Sequence, residues 1–352
     1  MPPGGKGDVI SHHLKSQSVG PAKSAVGRAL QGIEFDQQMI VSLLFVGLFA
    51  AFALFLPGFI AIGNLLTLMR TVSVLGILGL GMAIVVIGRG IDLSMIAALA
   101  VPTALVLSLA GKGVDVWLAL AAGLALAVAI GVLNGLLIAY AEIPSLFTTL
   151  AVGIGIAGLG QSGLFDYEIV LWPKQLGSIG WLGQGSLLGI PYSVLAFAVA
   201  AVCVGIFMRR TRPGLFIYAT GDSPGAARVA GVPVRPILLL QYILSAVISL
   251  VAGLVLAASS YNMDTRIFNL TWIYDVILVV VLGGIGLSGG RGGVLNVVVG
   301  TLLIGTIVNG MTIMNVSFEA QNLVKGMVLL AALSLDSIVN PRNEETAQQG
   351  DI

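Results

Sequence analysis

Charge is what this sequence of 352 residues has least of: only 9% of it is Asp, Glu, Lys or Arg, and the formal net charge is +1. With no basic stripe to neutralise phosphates, a nucleic-acid partner is excluded. There is one cysteine, Cys203, so no intramolecular disulfide can form; its place in an apolar run predicts a small buried hydrophobe. Both histidines, His12 and His13, stand far from any apolar run. No base is therefore available inside a membrane to activate a serine, and no set of metal ligands is spaced for an ion. Gly284, Gly286 and Gly289 fit a GxGxxG spacing, but no acidic residue follows about 20 positions on and no GxxxxGK[ST] loop exists, so the chain has no nucleotide fold of its own. These absences argue against an intramembrane serine protease and a nucleotide-binding enzyme and leave no catalytic residue to name.

What it does have is apolar length. Hydrophobic residues make up 57% of the chain, with 47 glycines and a mean hydropathy of +1.03, which is incompatible with a water-soluble surface. The expected fold class is an all-α integral membrane protein, a polytopic bundle of about ten transmembrane helices with an internal repeat. Apolar stretches long enough to span fall at about 39–57, 71–88, 93–110, 116–140, 144–163, 191–208, 237–258, 271–288, 293–314 and 322–338. The expected organisation is a polar tail over 1–38, disordered and cytoplasmic, a transmembrane domain over 39–338, and a second cytoplasmic tail over 339–352. The first apolar run begins after some three dozen residues and so reads as a first span and not as a cleaved signal.

An even number of spans puts both termini and the 209–236 loop inside. The inside segments then hold Lys6, Lys15, Lys23, Arg28, Arg89, Arg209, Arg210, Arg212, Arg228, Arg235, Arg291 and Arg342, against Arg70, Lys112, Lys174, Arg266 and Lys325 outside. That asymmetry follows the positive-inside rule. The 164–191 segment, with Asp166, Tyr167, Glu168, Trp172 and Trp181, faces outward, its aromatics serving as interface anchors or as ligand contacts. Glycines at helical spacing (Gly76, Gly79 and Gly81; Gly131 and Gly135; Gly153, Gly155, Gly158 and Gly160) predict closely packed helices.

The one long polar stretch between apolar halves is 209–236. Within it Ser223 is a helix cap, Pro224 suits the first helical position, Ala226 and Ala227 favour helix, and Gly231 with Pro233 closes it. This predicts a helix of about two turns, too short to be stable alone. Carrying Arg228 and small residues, it is either a docking element for another protein or an ordinary capped turn.

A second feature is Gly88-Arg89-Gly90-Ile91-Asp92-Leu93-Ser94, which sets two charges between apolar runs. The glycines predict a broken helix, and Arg89 is placed to pair with Asp92 if the turn is helical. Asp92 then marks a gate or cavity wall, or a loop at the cytoplasmic interface. Asn134, Asn309, Thr148, Thr149, Gln241 and Asp275 are further polar candidates, each also explicable as an interhelical hydrogen bond. Ile84–Ser94 aligns with Leu278–Ser288, and Asn134-Gly135 echoes Asn309-Gly310, in the manner of a duplicated transporter unit. A stand-alone ion-coupled carrier using Asp92, Glu142 or Asp275 is the alternative reading of the charges.

Taken in order, Gly90–Ser94, Pro144–Leu150, Thr211-Arg212-Pro213-Gly214 leading to Gly221–Gly231, and Val281–Gly284 with Gly289–Gly292 resemble the permease subunits of the ribose-type family of bacterial sugar ABC importers, over about 60–338. The resemblance implies a chain in the bacterial inner membrane that forms a monosaccharide or polyol pathway with a second permease subunit. It also implies a periplasmic sugar-binding protein and a cytoplasmic ABC ATPase as partners, with ATP and Mg on that ATPase and no cofactor on this chain. Gly221, Asp222, Ser223, Ala226, Ala227, Arg228 and Gly231 become the coupling element, and Arg89, Asp92, Ser94, Asn134, Phe147, Thr148 and Asn309 the pathway or gate. Met95-Ile96-Ala97 and Pro224-Gly225 depart from the family pattern.

Overall fold

The computed structural model describes residues 37–165, 168–269 and 271–339. The polar N-terminal tail, Asp166, Tyr167 and the C-terminal tail from 340 lie outside the described residues. The described chain is overwhelmingly helical. In order it comprises α1 (Gln37–Phe55), α2 (Ile62–Ile87), α3 (Met95–Gly111), α4 (Val116–Ala139), α5 (Ser145–Leu159), the short α6 (Trp181–Gln184), α7 (Tyr192–Arg210), α8 (Arg212–Asp222), α9 (Pro224–Val229), α10 (Val234–Ser260), α11 (Trp272–Leu282), α12 (Val294–Ile313) and α13 (Phe318–Val339). Among the described residues seven helices are long and apolar enough to cross a membrane; α3 and α11 are apolar but shorter.

The core is built around α2 and α3. From Val72 to Ile87 nearly every side chain of α2 is buried, and α3 is buried on all faces. A helix apolar all round is stable only when other helices surround it. Helices α10, α12, α7 and α11 pack on α2, and α4, α5 and α10 pack on α3. The glycines make this possible: a Cβ on Gly131 or Gly135 would strike the α10 backbone near Ile243 and Leu239. Gly155 and Gly158, by contrast, face open space.

Three expectations are corrected. The second helix begins at Ile62 and not near residue 71, because Asn64 exchanges two amide hydrogen bonds with Asn309 of α12 (3.0 and 2.9 Å) and so does not interrupt it. Arg70, assigned to an outside segment, consequently lies two turns inside α2. The eighth stretch ends as a helix at Leu282, where the glycines from 283 onward break it. Cys203 is exposed, on an α7 face shared with Val199, Val202 and Ile206, which are 62%, 60% and 56% exposed. In a bilayer such a face meets lipid, which is as apolar as a protein core.

The structure also adds short strands. β1 (Ile169–Leu171) pairs antiparallel with β4 (Asn262–Asp264), and β2 (Ser186–Leu187) forms a hairpin with β3 (Ile190–Pro191). Arg266 clamps this edge by bridging Asp264 (3.0 Å) and Glu168 (3.2 Å). The Arg266 hydrogen bond holds the Asp264 carboxyl below its usual pKa. Because α10 joins α9 to β4, the strands and the polar loop lie at opposite ends of a helix of 27 residues, about 40 Å at 1.5 Å per residue.

Candidate functional site

The polar loop folds as two helices. Thr211 caps α8, its hydroxyl accepting from Gly214 N–H (3.2 Å), with Pro213 in the first turn. Ser223 then caps α9, accepting from Ala226 N–H (3.3 Å), with Pro224 at its start. Gly231 closes the turn at φ 80°, a left-handed conformation that costs glycine little. Ala227 is the buried foot of α9. Arg228, Ala226 and Gly231 are exposed, and Val229 is 91% exposed. Val229 is thus an apolar tip held out by a capped turn, and a lone valine between Arg228 and Ala230 gives no periodic signal in the sequence.

The base of this element is a three-way junction. Gly221, the penultimate residue of α8, lies so close to Ile87 and Gly290 that a Cβ would overlap the Ile87 carbonyl. Gly290 N–H donates to that carbonyl (2.8 Å), from a backbone with φ 73°. Arg89 also has a left-handed backbone, φ 66°, which non-glycine residues seldom adopt. Its side chain donates from Nε to Ser288 O (2.7 Å) and from a terminal nitrogen to Asp222 O (3.0 Å). Tyr218 of α8 donates to Gly292 O (2.9 Å). Burial keeps that phenol above its ordinary pKa despite Arg209 nearby, so it stays a donor. The end of α2, the end of α8 and the 283–293 glycine loop are thereby tied at the root of α9. The two segments aligned by sequence, 84–94 and 278–288, are both helix ends running into a break, and they touch here through Arg89 and Ser288.

The expected pairing of Arg89 with Asp92 is not made. The break is not helical, and its two charges point to different partners. Asp92 is fully buried: one carboxylate oxygen accepts from Ser94 N–H (2.9 Å) and the Ser94 hydroxyl (2.6 Å), the other from the Ser245 hydroxyl of α10 (2.7 Å). Asn134 of α4 donates to Ser94 Oγ (2.7 Å). On the far side, Leu93 N–H donates to Thr149 Oγ1 (3.0 Å) and Ile91 N–H to Ser145 Oγ (3.3 Å), both on α5. The break is therefore braced from three helices, which answers the requirement that buried polar backbone find partners. Ser145 and Ser245 were not singled out from sequence; hydroxyls are too common for their spacing to speak alone.

The remaining candidates are dispersed. Asn309 pairs with Asn64, away from Asp92. Thr148 is buried with no partner for its hydroxyl, as are both amide atoms of Gln241, while Phe147 is 65% exposed on α5. Glu142 bridges Arg235 on the surface (2.9 Å), and Asp275 bridges the buried Lys325 of α13 (2.8 Å). Asp92, Glu142 and Asp275 thus have separate partners on separate elements and form no common site.

Comparison with known proteins follows the same outline. The sequence model of the family described as branched-chain amino acid transport system / permease component matches residues 64–333. The chain is 30% identical to the ribose import permease protein RbsC of Escherichia coli over 303 residues, 86% of this chain and 94% of that one. It is 33% identical to RbsC of Bacillus subtilis over 307 residues (86% and 95%), and 34% identical to the L-arabinose transport system permease protein AraH of Escherichia coli over 299 (83% and 88%). No solved structure matches.

Proposed function

The chain belongs to the family of branched-chain amino acid transport system / permease components, and from that premise we propose that it is the membrane-spanning subunit of an ATP-driven importer of a monosaccharide or related polyol. The sugar class rests on its relatives, ribose and arabinose permeases, over most of its length. It is a transport component and not an enzyme. ATP and Mg belong to a separate cytoplasmic ATPase, and a periplasmic binding protein delivers the cargo. The protein resides in the bacterial inner membrane, with both termini and the 209–236 loop cytoplasmic and the 164–191 segment periplasmic. About ten helices span, with the shorter α3 enclosed by the others, and the like course of 84–94 and 278–288, each a helix end running into a break, supports an internal repeat. A second permease subunit completes the pathway.

The observation that carries the reading is α9: a capped six-residue helix with Val229 and Arg228 exposed, seated on the junction of α2, α8 and the glycine loop. Docked in an ATPase, α9 is a handle whose displacement reaches the end of α2 through Gly221 and Arg89, and from there the Asp92 brace. Closure of the ATPases would switch the membrane domain between two arrangements, with this chain supplying a bistable element and no chemistry. Arg89, Asp92, Ser94 and Asn134 set the gate by bracing the break; Phe147 and Thr148 adjoin it on α5, and the Asn64–Asn309 pair holds α2 against α12 farther out. The test is uptake of labelled ribose and arabinose into proteoliposomes holding the complex and binding protein. Uptake that requires internal ATP and survives collapse of proton and sodium gradients supports the importer; uptake driven by either gradient without ATP supports the ion-coupled carrier.

A further inference from the structure

One exposed face of α2 carries polar side chains where a lipid-facing helix carries none. At 100° per residue, Gly63, Thr67, Arg70 and Thr71 fall within an arc of about 100°. Gly63, Thr67 and Thr71 are exposed and Arg70 is half-buried. Farther along the same arc Val74 and Leu78 are buried, at 4% and 0% exposure, and a Cβ on Gly81 would touch Ile248 and Met95. The arc is thus buried from Val74 inward, with α3 and α10 against it at Gly81, and open before that, so the polar patch ends on a floor.

Arg70 lies about 12 Å along α2 from Ile62, at 1.5 Å per residue. Its Nε is buried without a hydrogen-bond partner, and among the described residues it makes no ion pair, whereas Arg235, Arg266 and Lys325 each do. A guanidinium that deep in a span is retained where it faces water or a partner and is disfavoured against acyl chains. The lipid-like face of α7, with Val199, Val202 and Ile206, shows the contrast. Meanwhile Asp92, Ser94 and Asn134 are fully buried and offer no surface to a passing solute.

We propose that the Thr67–Arg70–Thr71 arc is a wall of the translocation pathway, and that Arg70 contacts the cargo, a neutral polyhydroxylated solute. The planar fork of donors on arginine suits neighbouring hydroxyls; the Thr71 hydroxyl adds a donor and acceptor, and Thr67, whose own proton goes to Gly63 O (3.0 Å), adds an acceptor. No carboxylate of the described chain is on the arc to neutralise an ammonium. This assignment rests on the importer reading.

The experiment uses the assembled complex in membranes, with Cys203→Ser removing the chain's one cysteine and single cysteines introduced as Thr67→Cys, Thr71→Cys and, as a lipid-facing reference, Val199→Cys. A charged, membrane-impermeant thiol reagent is applied to both faces. Cysteines at 67 and 71 are expected to react at least tenfold faster than at 199, and modification at 71 to abolish ribose uptake. Equal reactivity at all three positions would overturn the wall. Arg70→Lys, which keeps the charge but not the planar fork, is expected to lose part of the uptake, and Arg70→Met at least 90% of it, while the ATPase still co-purifies; undiminished uptake by Arg70→Met would overturn the cargo contact. If Arg70→Met fails to assemble, thiol reactivities decide, because those proteins keep Arg70. Protection of the cysteine at 71 by leucine and not by ribose would overturn the neutral-polyol class. ATP dependence of uptake, measured before labelling, is a separate readout: its absence contradicts the importer and leaves the accessibility result standing.

Discussion

Asp92 shows how a single residue can be legible as important and illegible as to role. A carboxylate between apolar runs stands out in sequence, but the sequence neighbour offered as its partner, Arg89, turns instead to Ser288 and Asp222. The true partners are hydroxyls on its own turn and on α10, and sequence distance gave no hint of Ser245. Removing the acceptor strands Ser94 N–H, its hydroxyl and Ser245 together. Asp92→Ala is therefore expected to destabilise the protein by about 3 kcal/mol, each buried unsatisfied group costing about 1–3, whereas Asp92→Asn keeps one acceptor and loses less. Thermal unfolding in detergent should rank wild type above Asn and Asn above Ala; equal loss would show that charge and not hydrogen bonding matters. Asp264 allows a test by pH. Its folded pKa is lowered from 3.8 by the Arg266 hydrogen bond, so its stabilisation is fully present above that value and is lost as pH falls through the depressed one. Corrected for the intrinsic pH dependence of exchange, protection of the β1–β4 amides should fall below about pH 4 in wild type, and Asp264→Asn should flatten that dependence.

At the scale of elements, apolar length located most helices well, because a span must be continuous and a bilayer sets its length. It failed where polar groups are satisfied across helices. Apolar length puts the start of the second span near residue 71, with Arg70 outside it, yet Asn64 is paired with Asn309 and the helix runs back to Ile62. A double-mutant cycle of Asn64→Leu and Asn309→Leu should yield a coupling of about 0.6 kcal/mol, up to about 1.7, the range for such bonds in membranes. No coupling would mean that the pair is not formed. α13 offers a sharper case, since it packs on α11 and shares the buried Lys325–Asp275 bridge with it. Lys325→Met or Asp275→Leu alone leaves an uncompensated buried charge and should destabilise by about 3–5 kcal/mol, while the double variant recovers most of it. If Asp275 served instead as an ion site, the double variant would be stable and inactive; as a structural pair it should still transport. The short strands were missed because three-residue ladders such as Ile169–Leu171 carry too little alternation to be read.

For the molecule as a whole, what sequence alone conveys is its membrane nature and the capped helix at Ser223; what it conceals is that three distant segments meet beneath that helix. The meeting of Ile87, Gly221 and Gly290 depends on carbonyl and amide contacts, and backbone contacts leave no residue pattern beyond a demand for glycine. The central claim is that α9 is the handle through which an ATPase moves this junction. The most direct measurement is co-purification of the ATPase from native membranes with wild type, Arg228→Glu and Val229→Asp, together with ATP hydrolysis by each preparation. The account predicts that wild type retains an ATPase stimulated by the binding protein, and that both variants, folded and inserted, lose at least 90% of the bound ATPase or of its stimulation. Full retention and full stimulation in both variants would contradict it.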